Sequence, residues 1–278
     1  MKVLLACACS GLSAQPATNI RTNAWQLIAP FFQPPGEFAA QYGSFRSPLL
    51  FNDGSTVKSA SDWARRRDEI LREWNELMGP WPKIIEHPKL EILSETNREN
   101  FIQQRVRVGI APEQTGEGWL LLPRGNGPFP AVLVVYYEPE TSVGLNPKQP
   151  FRDYALQLTK RGFVTLSIGT PGGNAWKPET GEAICQPLSF HAYVAANCWH
   201  ALANLSQVDR ERIGVVGHSY GGKWSMFAGA LWDKFAVVAT SDPGIVFDEK
   251  RSNVNYWEPW YLGLDARHTR KPGYHGSQ

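Results

Sequence analysis

The spacing of apolar residues changes period along the chain. Between residues 59 and 78, Trp63, Ile70, Leu71, Trp74, Leu77 and Met78 recur at helical spacing, which predicts an amphipathic helix. Gly79 and Pro80 end it. Arg65, Arg66, Arg67, Asp68 and Glu69 fall largely elsewhere on that helix, so the arginine run reads as a solvated face. Residues 90–95, 101–110 and 118–122 then read as strands, with Val106, Val108 and Ile110 alternating with their neighbours. Turn residues at 97–100 and 111–116 separate the three, so they can pair as an antiparallel meander.

Past Pro128 the strands become unbroken apolar runs that alternate with helices. That is the signature of a parallel sheet covered on both faces. Strands are expected at 131–137, 163–168, 213–216 and 235–240, and helices at 151–161, 187–205 and 221–231. Phe190, Val194, Cys198 and Leu202 form one stripe of the second helix, and a Gly- and Pro-rich loop covers 169–180. The expected class is α/β: a mostly parallel sheet with helices on both faces and an N-terminal antiparallel meander, in one domain over 59–278. Residues 18–58 read as an extended arm, because 33–56 are rich in Pro and Gly and show no period. Residues 1–17 place Lys2 before an apolar run and small residues after it, which predicts a secretory signal and a secreted or periplasmic protein. Leu4, Leu5, Ala6 and Cys7 also resemble a short lipoprotein box. No other stretch reaches the roughly 18 apolar residues of a membrane span.

Charge narrows the partners. Lys+Arg 28 against Asp+Glu 26 leaves a net charge of +2, too small a field to hold nucleic acid by phosphate neutralisation. With 42% hydrophobic residues, a disordered chain is excluded too. The 11 Trp either build a heavy core or line a site where flat faces meet a ligand such as a sugar ring. If the leader is removed with Cys7 and Cys9, two thiols remain. Cys185 and Cys198 then either pair in an oxidising compartment or stay unpaired, Cys198 buried on its helix.

The chemistry is carried by Gly217-His218-Ser219-Tyr220-Gly221, a Gly-x-Ser-x-Gly turn between an expected strand and an expected helix. So tight a turn strains the Ser backbone, and Gly on either side avoids clashes with it. Ser219 is therefore the expected nucleophile, with the N–H of Tyr220 at the helix start as one oxyanion donor. A second donor is expected from the loop after strand 131–137, from Glu138 or Tyr137, since Pro139 has no N–H. Both Tyr136 and Tyr137 can equally be wall residues. His218 lies on the strand and points away from the nucleophile, and His87, His191 and His200 are not placed to act as base. Trp257 and Trp260 follow the strand 235–240 and either line the acyl or sugar pocket near the elbow or anchor a long loop in the core.

From about Trp63 to Gly263 the chain resembles the acetyl xylan esterase and dienelactone hydrolase-like group of the α/β-hydrolase superfamily. The resemblance rests on Leu77-Met78-Gly79-Pro80-Trp81-Pro82, Thr115-Gly116-Glu117-Gly118-Trp119, Val135-Tyr136-Tyr137-Glu138-Pro139-Glu140-Thr141 and Gly217-His218-Ser219-Tyr220-Gly221-Gly222-Lys223-Trp224. Ser241-Asp242-Pro243-Gly244-Ile245 and Asn255-Tyr256-Trp257-Glu258-Pro259-Trp260 extend it. It implies a secreted serine esterase acting on acylated carbohydrate, a small-molecule or polysaccharide ester, with no metal and no organic cofactor. In that superfamily the order is Ser, acid, His. Each strand-helix-strand step takes about 30 residues, and 59 residues follow Ser219. The last strands, with the usual acid and His, are thus expected to be missing and the chain to be a poor enzyme. Asp242 after strand 235–240 is the substitute acid, or else a turn residue before Pro243. His268 or His275 is the substitute base. Two function classes follow: a carbohydrate esterase working through an acyl-enzyme on Ser219, and a noncatalytic carbohydrate-binding protein that keeps the fold.

Overall fold

The structure is a computed structural model that describes residues 25–27, 29–39, 41, 46–175 and 178–244. By internal contacts the chain divides into two compact units, Met1–Arg72 and Glu73–Gln278. The helix α1 (Ala60–Met78) crosses that division. In the first unit Arg66 is 5% exposed, so the arginine run is not uniformly solvated. Its guanidinium donates to Asn52 Oδ1 at 2.8 Å, Glu69 Oε2 at 2.9 Å and Pro48 O at 3.3 Å. A buried charge needs such partners, and here they tie the segment before the helix to the helix itself.

Among the described residues, the second unit is built on seven strands: β1 (Leu90–Asn97), β2 (Phe101–Ala111), β3 (Gln114–Pro123), β4 (Phe129–Val135), β5 (Val164–Ile168), β6 (Val208–His218) and β7 (Val237–Ser241). Their order in the sheet is β1-β2-β3-β5-β4-β6-β7. The first three form the expected meander, β3 meets β5 antiparallel, and β5, β4, β6 and β7 run parallel. The turn between β2 and β3 is tighter than the expected 111–116. Ala111 pairs with Gln114, and Glu113 takes a φ of 57° to close a two-residue hairpin.

Four helices of the second unit connect the parallel strands: α2 (Pro139–Ser142), α3 (Tyr154–Thr159), α4 (Pro187–Ala203) and α5 (Tyr220–Leu231). The helix expected at 151–161 is six residues long: it starts after Asp153, and Phe151 stays outside, 89% exposed. On β4 the strand period sends Ala131, Leu133 and Val135 to the face packed by α4 and α5. Val132 and Val134 go to the opposite face, against Val143 and Ala155. Helix α4 is buried all round from Leu188 to Trp199, not along one stripe. Two of its polar side chains find partners off the helix: Trp81 Nε1 donates to Ser189 Oγ at 2.8 Å, and Asn197 joins Ile85 N and Ile110 O at 2.9 and 2.8 Å. In this layer Trp81 meets Tyr193 edge-on and Trp232 lies against both Trp81 and Trp199, so Trp199 belongs to the core and the other two pack against it. Among the described residues, no helix is long and apolar enough to cross a membrane.

Leu133 is 0% exposed on a central strand. Leu133→Ala should cost about 2–5 kcal/mol in urea unfolding, while Ile92→Ala on the edge strand should stay within about 0.5 kcal/mol. Equal costs would mean that the core is not centred on β4.

Candidate active site

Ser219 sits between the end of β6 and the first residue of α5, with φ 57° and ψ −117°. A side chain in this region costs about 1–3 kcal/mol and persists only where surrounding structure imposes it. The imposing contacts are backbone. A Cβ at Gly217 would lie 1.9 Å from Gly221 O, and one at Gly221 would lie 2.1 Å from Val135 O. No side chain fits at either position, so strand β4, strand β6 and helix α5 meet with bare backbone. Ser219 N donates to Ser241 O at 2.9 Å and Lys223 N to Ser219 O at 3.1 Å, which fixes the turn to β7 on one side and starts the helix on the other. The first turn of α5 then directs N–H groups, Tyr220's first, toward the Ser219 end.

The loop after β4 meets this turn. Tyr137 lies with its hydroxyl 3.3 Å from Ser219 Oγ. Its carbonyl accepts from both Thr170 N and Thr170 Oγ1 at 3.1 Å, which anchors the loop to the chain after β5. The side-chain hydroxyl of Tyr137 is thus what reaches the serine, a contact the sequence reading did not foresee. Glu138 stands just before α2, and its carboxylate accepts from Thr141 Oγ1 and from Asn146 Nδ2 at 3.5 Å. The Tyr136 ring stands edge-on to Tyr137 at 5.0 Å, and Arg152 donates to its hydroxyl. Burial raises the Tyr136 phenol above its usual range, against the opposing effect of Arg152.

Asp242 follows β7 directly, with φ 46°. Its neighbour Ser241 supplies the carbonyl held by Ser219 N. The carboxylate acts on Lys223, which is 7% exposed: burial lowers that ammonium's pKa, and Asp242 partly offsets this. His218 Nδ1 pairs with Ser241 Oγ at 3.0 Å and its ring stands 6.4 Å from Tyr154, on the sheet face away from Tyr220. His191 is fully buried on α4, bonded through Nδ1 to Pro187 O at 2.5 Å and through Nε2 to the Tyr220 hydroxyl. Among the described residues, Ser219 has no histidine partner. His268, Trp257 and Trp260 lie outside the described residues, as does the expected leader. Cys185 and Cys198 are buried unpaired thiols, and burial pushes them up to about 11 and about 12.

A model of the prolyl oligopeptidase family matches residues 151–277. A 4-O-methyl-glucuronoyl methylesterase from Schizophyllum commune is 23% identical over 71% of this chain and 49% of its own length. A glucuronoyl esterase structure from Solibacter usitatus shares 19% identity with a TM-score of 0.56, covering 70% of this chain and 63% of that one. A Bacteroides fragilis structure designated an acetyl xylan esterase shares 17% identity with a TM-score of 0.52, covering 70% of this chain and 60% of that one. The chain therefore spans about half of the curated relative and less than two thirds of either structure.

Burial lowers the His191 pKa to about 4 from an ordinary 6.5, so the folded protein refuses a proton that the unfolded chain accepts. Its contribution is intact above pH 6.5 and is lost as the pH falls toward 4. The shift is worth about 3 kcal/mol. The stability difference between wild type and His191→Gln, from urea unfolding, should change by about that amount from pH 7 to pH 4. Identical pH profiles would mean that His191 takes up its proton in the fold. With the sheet order, the parallel strands under two helical layers and the strained serine turn at the end of β6, the described chain has the α/β-hydrolase fold, and the proteins it resembles are named as carbohydrate esterases.

Proposed function

We propose that this chain is a serine esterase of the α/β-hydrolase type that cleaves carboxylic esters on carbohydrate. The observation that carries the reading is Ser219 itself: a strained hydroxyl at a helix N-terminus, 3.3 Å from the phenol of Tyr137. Ser219 Oγ attacks the ester carbonyl and gives its proton to a base. The carbonyl oxygen gains the electron pair and draws on the Tyr220 N–H and the Tyr137 hydroxyl, donors pre-placed on α5 and on the β4 loop. Collapse breaks the bond to the alcohol, which leaves with the proton from the base, and the acyl group stays on Ser219. Water then releases it by the same steps in reverse. We assign the base to His268 and the acid to Asp242, which stands one residue beyond the carbonyl that holds Ser219 N. Trp257 and Trp260 would supply flat faces to the sugar.

The substrate class follows from the names of the similar proteins, which are esterases of glucuronate and of acetylated xylan. Both chemistries present a carboxylic ester on a pyranose. Of the two, we propose O-acetyl groups on xylan-type sugars, released by a protein that works outside the cytoplasm.

Two substitutions test the reading on acetylated xylose and on a methyl glucuronate ester. Ser219→Ala should remove hydrolysis to background while ligand binding survives. Tyr137→Phe should lower kcat by about 10- to 100-fold with KM little changed, as expected on loss of one oxyanion donor. Activity retained by Ser219→Ala would overturn the nucleophile, and release of methanol without acetate would overturn the choice of ester.

A further inference from the structure

Tyr220 is the residue after the nucleophile, yet its side chain is 1% exposed and does not face substrate. Its ring lies 5.0 Å from the Tyr137 ring at 34°, a tilted stack. Its hydroxyl bonds to His191 Nε2. The other ring nitrogen of His191 faces the carbonyl of Pro187 at 2.5 Å, and a carbonyl only accepts. Nδ1 therefore carries the proton, Nε2 is the acceptor, and the Tyr220 hydroxyl donates to it. The histidine ring is held in turn by Trp224, whose ring meets it at 4.6 Å and 77° and whose Nε1 donates to His191 O at 2.6 Å.

We infer that His191 and Tyr220 are a positioning pair that holds the Tyr137 phenol against Ser219. The inference rests on the esterase reading for its catalytic consequence. The run of contacts is continuous: Pro187 O to His191, His191 to Tyr220, Tyr220 across the stack to Tyr137, and Tyr137 to Ser219 Oγ at 3.3 Å. Packing alone does not call for this pair, because two apolar side chains of the same shape fill a core at no loss. A bond between two buried polar groups adds a fixed direction for the Tyr220 ring. Tyr137 is also held near its backbone, through Thr170, and by the edge of the Tyr136 ring at 5.0 Å, but of its two ring contacts the one with Tyr220 is the more nearly face-on one, and a phenol at the end of a long side chain gains its orientation from the ring it lies against. Neither side chain touches substrate; both act through Tyr137, while the Tyr220 backbone N–H keeps its own place at the oxyanion.

The test compares wild type, Tyr220→Phe, Tyr137→Phe and the double variant of the full chain on 4-nitrophenyl acetate, reading kcat and KM separately. Tyr220→Phe keeps the ring and loses the bond to His191. It should lower kcat about tenfold with KM within about twofold, the pattern of a misplaced group in the transition state. In the Tyr137→Phe background the same change should alter kcat by less than about twofold, since the hydroxyl it positions is gone. An undiminished effect in that background, or an unchanged kcat in the single variant, overturns the inference. Should Tyr220→Phe fail to fold, His191→Gln and His191→Leu take its place. Gln keeps an acceptor and should retain kcat where Leu loses it, and equal rates overturn the inference. A wild type that hydrolyses no ester overturns the esterase reading by itself. The pair is then decided by NMR of the Tyr137 ring, whose resonances should shift and whose ring flips should quicken in Tyr220→Phe. Unchanged Tyr137 signals overturn the pair.

Discussion

The chain must pass from strand to helix in the space of one residue at Ser219, and the rest of the fold is arranged around that passage. Bare backbone on three elements makes it possible: Gly217 against Gly221, and Gly221 against Val135 on the neighbouring strand. The strain of the serine conformation, about 1–3 kcal/mol, has to be offset elsewhere. Part of the offset is local, in the bond from Ser219 N to Ser241 O that ties the turn to β7. Most of it comes from β4 and β6 being central strands with side chains buried on both faces, where local relaxation of the turn would disturb two cores at once.

The same layering brings the functional groups together. Helix α4 packs beside α5 on one face of the sheet, and its burial on all sides makes Ser189, His191 and Asn197 find partners inside the protein. Ser189 and Asn197 do so with the connection after α1, and His191 does so with Tyr220 at the start of α5. The polar contents of one buried helix thereby fix both the wall of the unit and the ring next to Ser219. Strand β4 contributes from the other side. Its last residues deliver Tyr136 and Tyr137 to the carboxyl end of the sheet, beside the elbow, because β4 and β6 are parallel neighbours.

Much of this was legible in the residues. The apolar runs of β4, β5 and β6 are dense enough in Val, Ile and Leu that only buried parallel strands suit them, and Gly-x-Ser-x-Gly between such a strand and a helix names Ser219. What could not be read were contacts between distant residues. Tyr137 and Ser219 are 82 positions apart, and nothing local distinguishes a phenol that reaches a serine from one that lines a wall. His191 looked like any helix histidine, because its role depends on a tyrosine 29 residues further on. Arg66 reads as a solvated charge from its sequence position, since a buried arginine and an exposed one leave the same mark on helical periodicity. The apolar pattern carries the helix near Tyr154 too far, because Phe151 suits an apolar stripe but lies out in solvent.

If the strained turn makes Ser219 a nucleophile, as proposed, the residue will react covalently with an acyl-enzyme mimic in the folded chain. The intact, folded chain is treated with a serine-directed fluorophosphonate and the adduct is located by peptide mass mapping. A nucleophilic Ser219 should give a single adduct, on the peptide that contains it, and none when the protein is unfolded before treatment. A folded chain that stays unlabelled, or that labels equally at other serines, would contradict it.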